Sequence, residues 1–385
     1  MYKNSDLRVL CFFEEGRIGG PQVYILRLAK TLINQIDMEL LFPVKDSNEL
    51  CQQCEEWELK YKKFRISRLN KQWKTAIEYI LLFIPEVISL TYFIKNEPYD
   101  IVYVCGGSWQ YKGAIAGKLA GKKVIWHLND TYLPWLFRKI FSLLSSLADG
   151  YIYASERTKN YYRPCIKSGK PEFVIPSPVD TEMFDPLYHY DGDEDLLERW
   201  SGKTVIGTVS NVNPIKGLET LILVASVLNR QFDNLVFVIV GPIFTSQQQY
   251  FEQLQSLCDK LLVDNVEFVG ARSDVRPLLE RFNIYFCSSR AESSPIAVWE
   301  AMSMGKLIVS TNVGDVPLYV KHNHNGFIVD VGDSKSMSNY ISELITGDYL
   351  QQNFGNNSRE IAVCELDSGL CAEQHLNAFA RIDSS

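Results

Sequence analysis

The chain has 385 residues, 46 % of them hydrophobic, enough to give each of two domains a core. Its net charge of −7 gives no electrostatic ground for a nucleic-acid partner. Nine cysteines at irregular spacing, behind no apolar leader, exclude a disulfide scaffold and predict free thiols in a reducing cytoplasm.

The charge is unevenly spread. Residues 1–180 hold 25 Lys and Arg against 19 Asp and Glu, and the remainder hold 14 against 27. Leu7–Phe13 reads as a strand, followed by a loop containing Gly19 and Gly20 and a helical period over 23–33. The two glycines let a backbone come close to a ligand, and Pro21 suits a helix start. Cys51 and Cys54 form a lone C-x-x-C without the further ligands zinc needs, so they read as structural. The excess of positive charge gathers in Lys60, Lys62, Lys63, Arg65, Arg68, Lys71 and Lys74, just before the apolar run 76–94. Such a pairing suits either a solvated loop before a core helix or contact with an anionic membrane face. Glu78, Pro85 and Glu86 argue against a membrane-spanning helix.

Further strands are expected at 100–105, 123–127 and 150–154, with helices over 111–120 and 132–148. His127 and Asn129 share a strand face near Asp130. At the end of a parallel strand, His127 reads either as a satisfied structural residue or as a site residue. The proline-rich stretch from Pro171 to Pro186 reads as a joint, and Asp191-Gly192-Asp193 as a solvated turn rather than a metal site. Beyond it, strands are expected at 204–210, 235–241, 266–270, 283–289 and 306–310. Lys216 stands at the mouth of a helix over 218–229, where a cation adds to a phosphate site.

The stretch 290–312 completes the pattern. Ser293 and Ser294 are cap candidates, Pro295 suits a first turn, and Gly305 a helix end. Glu292 at the helix mouth and Glu300 two turns on can accept hydrogen bonds from two polyols, while the amides of 294–297, Ile296 among them, suit a phosphate. A capped helix with one acid in its favourable first turn and one on its wet face explains the same residues. Strands alternating with helices around a proline-marked joint predict an α/β chain of two Rossmann-like domains facing an interdomain cleft. Their bounds are expected at 1–175 and 201–366, with a linker over 176–200 and a final helix in 367–385 that crosses back to the first domain.

In chain order, Gly19-Gly20, Ile175–Phe184, Asn213–Gly217, Glu292 with Glu300, Ala301, Met302 and Gly305, Val313–Pro317 and Asn325–Phe327 resemble the retaining glycosyltransferases of family 4, with their GT-B architecture. The resemblance implies transfer of a sugar from a nucleotide diphosphate sugar to a hydroxyl acceptor, without metal or cofactor. It implies donor contacts from Gly19, Gly20, Asn211, Lys216, Glu292, Ser294, Ile296 and Glu300, with Glu292 on the sugar and Glu300 on the ribose. His127, Lys216 and Glu292 form the implied catalytic set. The sequence departs from the pattern at Asn211, where the family carries arginine, at Ser293 and Pro295, where glycines are usual, and at Asn129, which takes the place of the family's histidine. With the basic first half, the implied acceptor is a glycan or lipid-linked glycan on the inner membrane face, as in surface polysaccharide assembly. A sugar-nucleotide epimerase of the same fold, and a non-catalytic nucleotide-sugar binder, are the alternatives.

Overall fold

Short runs of β-branched, aromatic and leucine residues recur between helices, and most of them are buried along most of their length. In the computed structural model they form two parallel sheets. The structure describes residues 7–68, 73–166 and 169–385, apart from the side chains of 73, 74 and 348–352. The chain divides into two units, one of Met1–Pro178 with Ser368–Ser385 and the other of Val179–Asp367.

The first unit holds strands β1 (Arg8–Phe12), β2 (Asp37–Pro43), β3 (Lys60–Phe64), β4 (Ile101–Val104), β5 (Lys123–Leu128), β6 (Gly150–Tyr153) and β7 (Glu172–Val174), in the order β3-β2-β1-β4-β5-β6-β7. The second holds β8 (Thr204–Val209), β9 (Leu235–Val240), β10 (Val266–Gly270), β11 (Ile284–Cys287), β12 (Leu307–Thr311) and β13 (Gly326–Val329), in the order β10-β9-β8-β11-β12-β13. Every pairing between these strands is parallel. The strand order reverses between β1 and β4 in one sheet and between β8 and β11 in the other. Open α/β sheets bind ligands beyond the carboxyl ends of the strands at such a reversal.

Several expectations are corrected here. The basic run is only partly loop: Lys60–Phe64 is the edge strand β3, and two of its three lysines pair, Lys60 with Asp37 at 2.7 Å and Lys62 with Glu97 at 3.1 Å, while 65–68 have no regular structure. Charged edge strands resist pairing with other chains. Lys71 and the side chain of Lys74 lie outside the described residues. The supposed linker is split. Strand β7 belongs to the first unit, whereas Val179, Phe184, Tyr190 and Trp200 are buried in the core of the second. Asp193 is no solvated turn residue, since its Oδ1 accepts from Arg272 Nε at 2.7 Å.

The final helix, Ser368–Asp383, belongs to the first unit. Its His375 sits wholly buried, with Nδ1 2.7 Å from the Cys371 carbonyl and Nε2 3.0 Å from the Tyr24 hydroxyl. Nδ1 therefore donates to the carbonyl and Nε2 accepts from the tyrosine.

Candidate functional site

At the reversal of the second sheet, two loops leave side by side. The first, 210–217, closes with a tight turn, Pro214–Lys216, in which Asn213 Oδ1 accepts from the Ile215 amide at 3.1 Å. Gly217 then enters the helix Leu218–Leu228 at φ +59°, and a Cβ there would stand 2.4 Å from the Ser288 carbonyl oxygen. Only glycine fits both the backbone angle and that approach. The second loop, 288–295, is stitched to the first. Ser288 Oγ donates to the Lys216 carbonyl at 2.9 Å, and the Arg290 amide donates to that of Ile215 at 2.7 Å.

These loops bring Lys216 and Glu292 together, with Nζ 2.6 Å from Oε1. The same oxygen accepts from Ser289 Oγ at 2.7 Å. Burial by itself would lower the lysine's pKa, but the Glu292 carboxylate outweighs it and holds the ammonium above its ordinary range. A permanent cation thus stands beside two helix mouths. A second pair lies alongside, Arg290 with Glu219. Burial raises the Glu219 carboxyl, but hydrogen bonds from Tyr250 and Arg290 prevail and keep it low.

The helix carrying Glu300 runs Ile296–Ser303, with Pro295 extended at its N-cap. It begins later than Ser293 or Ser294 capping predicts. Ser294 Oγ instead accepts from the Trp299 indole at 3.0 Å, which draws that residue out of the capping position. The first-turn amides of Ile296 and Ala297 have no intrahelical acceptor and point out of the helix start. Glu300, inside the helix, is only 6 % exposed. Asn211, where the family has arginine, is half-buried at the end of β8. Next to it, Ser210 Oγ is buried with no hydrogen-bond partner among the described residues. Sequence reasoning missed Ser210, Ser289 and Arg290. The first two read there only as strand ends, although strand ends at a reversal are themselves a signal.

The first sheet's reversal is built differently. Gly19 caps the helix Gly20–Leu32 in extended backbone at φ −156°, and a Cβ on Gly20 would meet nothing within 4 Å. A Cβ on Gly19 would stand 3.3 Å from Gln22 Oε1, so it is Gly20 that the fold leaves wholly free. Close by, Glu14 is buried at 5 % exposure, its carboxylate accepting from the Lys112 amide at 3.0 Å and the Tyr79 hydroxyl at 3.1 Å. Burial pushes its pKa up to about 7, against the pull of Lys112.

The assignment of His127 to a reacting sugar is not retained. Its side chain has no exposed surface and lies between the rings of Tyr24 and Tyr103, at 4.5 and 5.6 Å. Neither ring nitrogen has a hydrogen-bond partner among the described residues, and burial, aided by His375, pushes its pKa down to about 3. It is a neutral core imidazole. Asn129, two residues on and half-buried, stands at the strand end instead.

On the outer side of the first unit, the helix Trp73–Asn96 packs Leu90 and Ile94 into the core. It also exposes Ile80, Leu81, Ile84, Ile88 and Tyr92, each more than 60 % open. Among the described residues, its segment Thr75–Asn96 is long and apolar enough to cross a membrane, with mean hydropathy 1.7. A second helix, Trp135–Leu144, exposes Trp135 at 71 % and Leu143 at 75 %. Among the described residues no group of three or more His, Cys, Asp or Glu is arranged to hold a metal. Cys51 and Cys54 lie buried in one helix, and burial pushes the Cys54 thiol up to about 12, as befits an inert core residue.

Two family models match the chain: Glycosyltransferase Family 4 over residues 18–183 and Glycosyl transferases group 1 over 197–361. Among curated relatives, an Escherichia coli UDP-Gal:alpha-D-GlcNAc-diphosphoundecaprenol alpha-1,3-galactosyltransferase is 26 % identical over 66 % of this chain and 68 % of its own. A Campylobacter jejuni N,N'-diacetylbacillosaminyl-diphospho-undecaprenol alpha-1,3-N-acetylgalactosaminyltransferase is 21 % identical over 75 % of each. A relative from Bacillus anthracis matches over only 39 % of its length. Among solved structures, Anabaena HepE in complex with UDP and glucose superposes with a TM-score of 0.83 at 20 % identity, covering 97 % of this chain and 99 % of that one.

Proposed function

Because the chain belongs to the group 1 and family 4 glycosyltransferases, we propose that it moves a hexosyl group, with retention, from a nucleoside diphosphate sugar to a lipid-linked glycan at a membrane surface. The observation that carries the reading is the Lys216–Glu292 pair, set at a sheet reversal between the helix starts at Leu218 and Ile296. When the sugar–phosphate bond breaks, negative charge grows on the departing diphosphate. Lys216 and the amides of Ile296 and Ala297 stabilise that charge, which is where electrostatic catalysis acts. Glu292 fixes the ammonium and offers its other oxygen to sugar hydroxyls, while Glu300 takes the ribose. Ser210 and Asn211 add a hydroxyl and a carboxamide where the family's arginine is missing.

Two features support the acceptor. Two curated relatives that match over two thirds or more of their own length have diphosphoundecaprenol-linked sugars in their names. The exposed apolar faces of Trp73–Asn96 and Trp135–Leu144, with the exposed cations Lys63 and Arg65 nearby, suit an anionic bilayer surface. The helix lies on the membrane rather than across it, because its other face is committed to the core. The deciding experiment screens nucleoside diphosphate sugars by thermal shift, UDP-hexoses first, and then assays turnover on lipid-linked acceptors with the product anomer read by NMR. An α-linked product from an α-donor is expected. Donor conversion without acceptor, or an inverted product, rejects the proposal.

A further inference from the structure

The two loops of the second unit's reversal carry cations whose charges are matched. Across 210–217 and 288–295 the cations are Lys216 and Arg290, and the acid is Glu292. Lys216 pairs with Glu292 at 2.6 Å, and Arg290 pairs with Glu219 in the first turn of the helix Leu218–Leu228. Asn211, where the resemblance expects arginine, adds a carboxamide and no charge. Both phosphates of a nucleoside diphosphate sugar are ionised near neutral pH. A cradle with no net charge holds such a ligand better once one pair opens and gives up its cation.

The two pairs differ in what opening costs. The Lys216 side chain is 25 % exposed, and its carboxylate partner is held further by Ser289. A pair so enclosed is costly to separate. The Arg290 side chain is 58 % exposed, and an ion pair that open contributes little. Its guanidinium gives only Nη2 to Glu219, while Nε and Nη1 have no hydrogen-bond partner among the described residues. Glu219 does not depend on the arginine. Its Oε2 accepts from the Tyr250 hydroxyl at 2.5 Å, and the positive end of the helix favours a carboxylate there. The same hydroxyl accepts from the Leu218 amide at 3.1 Å, which fixes the tyrosine independently. The stem of Arg290 is also set in place. Its amide donates to the Ile215 carbonyl at 2.7 Å, and its Cγ lies 3.6 Å from where a Cβ on Gly217 would stand. From that stem, side-chain rotation alone frees the guanidinium from Glu219, and its planar fork matches phosphate oxygens.

From this arrangement we infer that Arg290 is a second donor-binding cation, docked on Glu219 in the free protein and turned onto the diphosphate when a nucleoside diphosphate sugar binds. The inference rests on the donor reading of this cradle and adds the residue that supplies its net charge. Its test is calorimetric titration of UDP, GDP and ADP, each beside its nucleoside, into wild type, Arg290→Ala, Arg290→Lys and Glu219→Gln, with folding checked by circular dichroism and melting. Arg290→Ala is expected to bind the preferred diphosphate about ten-fold more weakly, the usual size for a hydrogen bond to a charged group, with the nucleoside unchanged. Arg290→Lys should recover part of that loss. Glu219→Gln removes the competing carboxylate, so it should bind the diphosphate as tightly as wild type or more tightly. A purely structural clamp predicts the opposite for that variant, namely equal losses in Arg290→Ala and Glu219→Gln. Equal losses, a matching loss for the nucleoside, or diphosphate affinity in Arg290→Ala within two-fold of wild type would overturn the inference and leave the donor reading standing. A wild type that prefers none of the three diphosphates over its nucleoside would reject the donor reading and the inference together.

Discussion

The two sheet reversals share a topology and differ in how they are filled. In the second unit, between β8 and β11, the loops are locked by the fold itself: Gly217 at positive φ against the Ser288 carbonyl, and Lys216 clasped by Glu292. In the first, between β1 and β4, Gly20 faces open space, and a cavity of ≈ 320 Å³ lies beyond the strand ends, lined by Glu14, Gln22 and Gln110 among others. A rigid, charged cradle suits the diphosphate part of a nucleotide-sugar donor.

The comparison is sharpened or broken by substitution. Lys216→Ala should cut transfer about 10²–10³-fold in kcat, the usual cost of removing one group that stabilises developing charge. Circular dichroism should remain that of the wild type, and a rate within a few-fold of wild type would end the assignment. The glycines should then diverge. Gly217→Ala forces a left-handed angle and a backbone clash, so a loss on the order of 1–3 kcal/mol is expected in urea unfolding. Gly20→Ala should leave stability within about 0.5 kcal/mol yet lower activity, because the methyl group occupies space the fold does not need. Equal stability losses at both glycines would erase the contrast between the two reversals.

A smaller effect concerns the outer face. Ile80→Glu with Ile84→Glu should reduce co-sedimentation with anionic vesicles several-fold while soluble donor binding is kept, since apolar area and charge both contribute to attachment. Unchanged sedimentation would remove the membrane from the account. The smallest is a pH slope. Glu14 has a folded-state pKa raised from 4.5 to about 7, so the folded state binds more protons than the unfolded one between those values. Stability from this group is therefore full below pH 4.5 and lost as pH rises through 7. Relative to wild type, Glu14→Gln should gain in melting temperature between pH 5 and pH 8. A parallel pH dependence of the two proteins would count against a neutralised Glu14.

Much of this was legible in the sequence, for definite reasons. The buried strands are short apolar runs, and the Lys216 and Glu292 loops follow two of them directly, so both the parallel sheets and the nearness of those residues to strand ends could be read. Strand β3 could not, because an edge strand made of Lys60, Tyr61, Lys62 and Lys63 reads as a solvated basic loop until its partners Asp37, Glu39 and Glu97 are seen. His127 misled for the opposite reason. Period two puts it on the face of Asn129, but burial depends on what packs above, here Tyr24 and the helix bearing His375. Ser294 looked like a cap and instead serves Trp299, a choice made by tertiary packing rather than by local propensity. The cavity lined by Glu14, Gln22 and Gln110 was invisible because its walls come from segments as far as 96 residues apart.

The most direct test of the donor cradle is calorimetric titration of UDP and uridine into wild type and Lys216→Ala. The account predicts that wild type prefers UDP over uridine by at least ten-fold and that Lys216→Ala loses most of that preference while still binding uridine. Equal UDP affinity in the two proteins would contradict it.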